Sequence, residues 1–101
     1  MIGEAAIAVA SVFARGRTMV ETVRARAHVG DWVGAAERLD AWALELENAA
    51  AALGAEEIPM YDPGAIASVV RITASLGRMH TMVTGAAVEA WRLAAENGAR
   101  A

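Results

Sequence analysis

The chain contains no cysteine, no lysine and few aromatic residues: three Trp, one Tyr and one Phe in 101 residues. The absence of cysteine excludes a disulfide scaffold and any zinc or iron–sulfur site with Cys ligands. All nine basic residues are arginine and the formal net charge is −3, so the sequence lacks the basic surface of a general nucleic-acid-binding protein. No apolar run approaches the roughly 18 residues that span a bilayer. We therefore expect neither a nucleic-acid nor a membrane partner.

What the chain does contain is 56% hydrophobic residues, dominated by alanine and other good helix formers. A length of 101 residues fits one modest core, and we predict a single domain over residues 1–101. The first residues are apolar, but they include Glu4 and lack the basic segment that begins a secretory signal. We therefore expect a cytoplasmic protein.

Glycine and proline divide the chain into three segments, with breaks at Gly30-Asp31 and in a loop over residues 54–64 that holds both prolines. Apolar residues within each segment recur at steps of three and four, which indicates one apolar stripe along a helix. We predict three helices, over residues 2–29, 32–53 and 63–97. The predicted fold class is all-α: an antiparallel helical hairpin plus a third long helix.

Three residues are placed to begin or end these helices. Asp31 and Asp62 each precede a helical segment, where a carboxylate accepts hydrogen bonds from free backbone N–H groups. Gly54 directly follows Leu53, and this position favours a left-handed residue at the end of the second helix.

The apolar stripes predict both the core and a surface for a partner. Phe13 and Val20 widen the stripe of the first helix, and Gly77, Thr81 and Gly85 form a ridge of small residues on the third. The hairpin core is predicted at Trp32, Leu39, Trp42 and Leu46, and the partner-binding surface at Leu76, Met79, Met82 and Val83. Alanine-rich stripes bury little apolar area, and each Å² of buried apolar area stabilises a fold by roughly 25 cal/mol. The three helices alone would therefore be only marginally stable. We therefore expect a homo-oligomer, most simply a dimer, or a protein partner that completes a four-helix arrangement.

Little in the sequence indicates chemistry. His28 and His80 are the residues that could transfer protons near neutral pH or ligate through nitrogen, and no His-x-x-x-His or Glu-x-x-His spacing adds a second ligand. We predict no catalytic residue, no metal site and no cofactor. A small helical-bundle enzyme, or a haem or metal protein that uses His80, stays open as an alternative from another class.

The first hairpin resembles two families of helical proteins. A helix that ends in Gly30-Asp31-Trp32, followed by a helix that opens with small residues and Leu39-Asp40, resembles the flagellar export chaperones of the FliT/FlgN type. That resemblance implies an intracellular all-helical protein that holds a terminal helix of a secreted subunit and delivers it to the export apparatus.

The second resemblance rests on Trp32-Val33-Gly34, which is similar to the Trp-x-Gly turn of the WXG100 proteins of type VII secretion. It implies a dimeric, exported helical hairpin. The interpretation that we carry forward is a non-catalytic protein-binding module, most concretely a secretion chaperone or adaptor, with the exported hairpin as an alternative.

Overall fold

The structure is a computed structural model that describes residues 3–57 and 61–100, with side chains for residues 5–57 and 61–98. It contains three helices, α1 (Gly3–His28), α2 (Trp32–Gly54) and α3 (Pro63–Arg100), and no strand in the described ranges. The predicted all-α fold class is therefore confirmed.

The helix ends differ slightly from those predicted. α1 ends at His28 and not at Val29, α2 extends to Gly54, and α3 continues three residues past Asn97. The predicted start of the first helix at Ile2 and residues 58–60 of the predicted loop lie outside the described residues.

The connection between α1 and α2 is short because one glycine and one aspartate satisfy both helix ends. Gly30 has a φ of 80°, and its N–H donates to the carbonyl of Ala27 at 3.0 Å, while the Asp31 N–H donates to the carbonyl of Arg26 at 2.8 Å. This pair of bonds is a Schellman motif, whose left-handed position favours glycine. The Asp31 carboxylate then accepts from the Gly34 N–H at 2.9 Å and caps α2.

α3 also begins at an aspartate cap, as predicted: the Ala65 N–H donates to Asp62 Oδ1 at 3.1 Å. The end of α2 differs from the prediction. Gly54 is the last helical residue and does not take a left-handed conformation, since Gly30 is the glycine with positive φ among the described residues. Ala55 remains in the right-handed region at φ −84°, and its N–H donates to the carbonyl of Ala51 at 3.1 Å. α2 therefore ends without a glycine in the left-handed conformation.

α2 runs antiparallel to both of its neighbours. Arg15 in the middle of α1 pairs with Glu45 in the second half of α2. On the other side, Glu47 of α2 lies 2.8 Å from His80 of α3, and the Trp91 indole N–H donates to Asp40 at 2.9 Å. Earlier residues of α2 therefore meet later residues of α3.

The core is formed on α2, which contacts both α1 and α3. Among the described residues, no Cα atom of α1 lies within 8 Å of one of α3. Leu46 of α2 and Leu76 of α3 are the largest side chains that are fully buried. The remaining members of the buried cluster are Ala5, Val9 and Val12 of α1, Ala36, Leu39, Trp42, Ala43, Ala49 and Leu53 of α2, and Val83, Ala87 and Ala90 of α3.

The molecule is a long, thin rod and not a sphere. Its extents are 60 × 19 × 16 Å, and its radius of gyration is 16.5 Å, where a compact domain of this length has about 13 Å. The long dimension is close to the length of α3, whose 38 residues rise about 57 Å. α2 has 23 residues, so a large part of α3 extends beyond it.

Candidate protein-binding surfaces

The residues predicted to form the hairpin core and the partner surface occupy different depths in the structure. Leu39, Trp42 and Leu46 are buried in the core, whereas Trp32 is half-buried in the first turn of α2 and lies outside the buried cluster.

The four residues predicted to bind a partner divide in the same way. Leu76 and Val83 are buried in the core and so offer no surface to another chain. Met79 is half-buried against the core, and Met82 is 73% exposed. The part of the predicted surface that another protein can reach is therefore formed by the two methionines.

Three consecutive residues of α2 show on which sides of this helix α1 and α3 lie. Leu46 is buried, and Glu45 and Glu47 are each rotated from it by about 100° in opposite directions. Glu45 pairs with Arg15 of α1, and Glu47 contacts His80 of α3. α1 and α3 therefore lie on opposite sides of the Leu46 stripe, and each presents one flank to the space between them. We call this flank of each helix its inner flank and the opposite one its outer flank.

On α1, that inner flank carries exposed apolar side chains and is bordered by the exposed Arg17 and Arg24. Arg15 marks the outer flank, because it pairs with Glu45 of α2. Phe13 and Val20 are rotated from Arg15 by about 160° and 140°, and both are exposed. The sequence assigned these two side chains only to a widened core stripe. Their spacing of seven residues, on the edge of that stripe, is the signal that could have marked them as surface residues.

On α3, the inner flank also carries apolar side chains, and the exposed Arg71 and Glu89 border it. His80 and Trp91 mark the outer flank, since both bond to carboxylates of α2. Met82 is rotated by about 160° from His80 and about 180° from Trp91. Met79 and Leu93, both half-buried, lie toward the same flank. We call the space between the flanks of Phe13 and Val20 and of Met79, Met82 and Leu93 the α1–α3 groove.

The histidines lie outside this groove. His80 Nε2 is 2.8 Å from Glu47 Oε1, so this nitrogen is engaged with a carboxylate of α2. His28 is exposed at the end of α1. No group of three or more His, Asp or Glu residues in the described ranges is placed to hold a metal ion.

The contact between α1 and α2 holds two polar atoms with no hydrogen-bond partner in the structure. The indole Nε1 of Trp42 and Oε2 of Glu45 are both buried and unpaired. A buried donor or acceptor left unpaired costs about 1–3 kcal/mol. Gly16 of α1 lies beside the same indole, since a Cβ at this position would be 3.7 Å from the Trp42 ring. The unpaired indole N–H of Trp42 therefore weakens the packing of α1 on α2, and a phenylalanine ring at this position would lack that group.

The face of α3 that is turned away from α2, here called its outer face, carries positive and negative side chains in different halves of the helix. Arg92 pairs with both Glu89 and Glu96. The hydrogen bond from Arg92 lowers the pKa of Glu89, and its positive charge lowers it further. Toward the start of the helix, Arg71 and Arg78 have no acidic partner among the described residues. The outer face is therefore basic in its first half and acidic in its second.

Two shallow depressions lie on the described surface, and each is lined by one helix or by that helix and its end. One lies on α1 between Glu21 and Val29. The other lies on α3 and extends from the face turned away from α2 to Met82 at the edge of the α1–α3 groove; it is lined by Ala74, Gly77, Arg78, Thr81 and Met82. A Cβ added at Gly77 would meet nothing within 4 Å, so this second depression results from the missing side chain.

Comparison with protein-family models, with curated protein sequences and with solved structures found no match to this chain. None of the described helices combines the length and the apolar character needed to cross a bilayer.

Proposed function

We propose that this chain is a non-catalytic protein-binding module that receives one amphipathic helix of a partner protein in the α1–α3 groove. The observation that carries the proposal is that α1 and α3 both pack on α2 but leave a gap between them. A further helix laid in that gap would complete a four-helix arrangement.

The chemistry of the groove suits the apolar face of a helix. Phe13 and Val20 from α1 and Met82 from α3 are exposed on the flanks that line it. Recognition of helices in grooves uses apolar anchors at steps of three and four residues. Methionine has a flexible, polarizable side chain and adapts to more than one partner surface. Met79 and Met82 therefore keep the partner-facing role that the sequence suggested, and Phe13 and Val20 join them.

The more specific form of the proposal is a secretion chaperone or adaptor that holds a terminal helix of an exported protein. It is supported by the resemblance of the first hairpin to the flagellar export chaperones. In the second family resemblance, the structure gives the glycine of Trp32-Val33-Gly34 a local role, because a Cβ at Gly34 would lie 2.2 Å from the Asp31 carboxylate. That glycine is required by the cap of α2.

The test is site-specific photo-crosslinking in the native host. A photoreactive amino acid replaces Val20 or Met82 in the groove, and in a matched control it replaces Leu44, which is similarly exposed on α2. We expect the two groove positions to crosslink the same segment of one partner, and we expect that segment to have an amphipathic helical pattern. Equal crosslinking from Leu44, or groove crosslinks to segments without an apolar stripe, would contradict the proposal.

A binding measurement then uses a synthetic peptide of the crosslinked segment. Met82→Asp should weaken binding at least tenfold, because it places a charge in the apolar groove, while Leu44→Asp should leave binding unchanged. Both sites are exposed, so both variants should remain folded. Leu76→Asp and Val83→Asp are unsuitable variants, since charges at these buried positions would unfold the chain.

A further inference from the structure

We propose that two copies of this chain associate through the outer faces of their α3 helices, packed antiparallel with a two-fold axis close to residues Val83 and Thr84. This proposal concerns the face of α3 that is turned away from α2. That face borders the α1–α3 groove at Met82, but the proposal is argued and tested apart from the groove.

From Val70 to Val88 this face is an uncharged stripe along the helix, and Arg92 ends it one turn further on. Val70 and Val88 are 62% and 70% exposed, which is unusual for valine, and both lie opposite the buried Val83. Between them the stripe follows steps of three and four residues and contains only small side chains, all of them exposed: Ala74, Gly77, Thr81 and Gly85. A stripe of this period is the seam along which two helices pack.

The antiparallel register sets each bulky residue of one copy opposite a small residue of the other. With the axis near Val83, Val88 of the second copy meets Gly77, where the shallow depression of α3 lies. Val70 likewise falls opposite Ala95 and Gly98. A parallel register would instead set Val88 against Val88 and leave the depression at Gly77 empty.

The charges give the same register independently. Arg71, Arg78, Glu89 and Glu96 share one flank of the stripe, because they are separated by seven, eleven and seven residues, each close to a whole number of turns. In an antiparallel pair with a two-fold axis, this flank meets its own copy. Arg71 then faces Glu96 of the second copy and Arg78 faces Glu89, and both pairs are centred between Val83 and Thr84.

These charge pairs select the direction of packing more than they strengthen it. Arg71 and Arg78 have no acidic partner among the described residues, whereas Glu89 and Glu96 share a single Arg92. In a parallel pair, this flank would lie on opposite sides of the two copies, so neither arginine would meet a glutamate of the second copy and the charge complementarity would be lost. Exposed ion pairs contribute little to affinity, so the apolar stripe supplies the association.

The exposed area of the chain is large enough to supply such an interface. The chain exposes 6745 Å², where a compact monomer of this mass exposes about 5,400 Å². The difference, about 1,300 Å², exceeds the roughly 800 Å² that each partner buries in an interface of standard size. The surplus comes from the rod shape, whose long dimension is set by α3.

The first experiment measures the mass of the intact chain by light scattering over a range of concentrations. We expect the mass to approach twice the 10.5 kDa of one chain. Gly77→Gln and Val88→Gln should each return it to one chain and leave helicity unchanged, because both positions are exposed. Ile7→Gln, at an exposed apolar position on α1, and Val20→Asp, in the groove, should leave the doubled mass intact. A single-chain mass at every concentration, or a dimer unaffected by both α3 variants, would overturn the proposal.

The second experiment tests direction and register, and it uses the absence of cysteine from the chain. Gly77→Cys and Val88→Cys chains are oxidised separately and as an equal mixture. The antiparallel register brings position 77 of one copy to position 88 of the other, within reach of a disulfide. We therefore expect a crosslinked dimer from the mixture and none from either variant alone. Crosslinking of each variant alone would mean parallel packing, and no crosslink in the mixture would exclude the register.

Discussion

α2 and α3 are both long, alanine-rich helices, but their neighbours cover them to different extents. α2 lies between α1 and α3 and buries most of one half of its circumference, including Leu39, Trp42 and Leu46. Among the described helices, α3 packs on α2 alone, and exposed residues such as Met82 and Val88 lie away from that contact.

This difference shows that an apolar pattern determines which residues a helix can bury, while the number of neighbours determines which of them it does bury. In this chain, the central helix has used its apolar surface within the fold. The outer helices α1 and α3 retain apolar surface that a further helix can cover. Four experiments test that contrast, starting with the one of largest expected effect.

Leu46→Ala in α2 should lower the free energy of unfolding by about 2–5 kcal/mol, because it removes a fully buried side chain and leaves a cavity. Met82→Ala in α3, at an exposed position, should change it by no more than about 0.5 kcal/mol. Urea denaturation followed by circular dichroism measures both values. Similar losses for the two variants would mean that Met82 is covered, by the partner helix or by another copy.

Gly34 and Gly64 form a matched pair in the first turns of α2 and α3. A Cβ at Gly34 would lie 2.2 Å from the Asp31 carboxylate, so Gly34→Ala should displace the cap and cost about 0.5–2 kcal/mol, partly offset by the better helix propensity of alanine. At Gly64 the nearest atom would be 3.4 Å away, so Gly64→Ala should stabilise the chain by up to about 1 kcal/mol. Thermal unfolding compares them, and an equal effect of the two would mean that Asp31 does not cap α2.

The buried Trp42 and the partly exposed Trp91 differ in the hydrogen bonds of their indole N–H groups. Trp91 of α3 donates to Asp40 at 2.9 Å, whereas the N–H of the buried Trp42 in α2 has no partner in the structure. Trp91→Phe should therefore cost about 0.5–1.5 kcal/mol. Trp42→Phe removes the unpaired donor, and this gain offsets part of the cost of the cavity that the smaller ring leaves in the core, so the variant should cost less than the about 3–5 kcal/mol expected of Trp42→Ala. Denaturation midpoints compare the three variants, and an equal loss in Trp42→Phe and Trp42→Ala would contradict that offset.

The sequence was sufficient to predict the three helices and the starts of the second and third, because the information is local. Asp31 and Asp62 precede their helices directly, and the apolar steps of three and four identify each segment. It was not sufficient at Gly54, where a helix can end without a left-handed residue. It also placed Leu76 and Val83 at a partner surface, although they are buried. Periodicity marks an apolar face, but which neighbour covers that face depends on contacts between distant segments.

The smallest expected effect is a pH dependence at the end of α3, in the helix with the exposed charged face. The hydrogen bond from Arg92 lowers the pKa of Glu89 below its ordinary value of 4.5. The ionised carboxylate therefore stabilises the folded state above that value, and this contribution is lost as the pH falls through the lowered pKa of the folded state. We expect the free energy of unfolding to decrease below pH 4.5, and Glu89→Gln should reduce the size of that decrease. Because Glu89 is exposed and its pair with Arg92 is screened by salt, the difference between the two proteins should shrink as salt is added. A decrease that is the same in Glu89→Gln would mean that carboxylates elsewhere, including those that contact α1 and α3 from α2, carry the acid sensitivity.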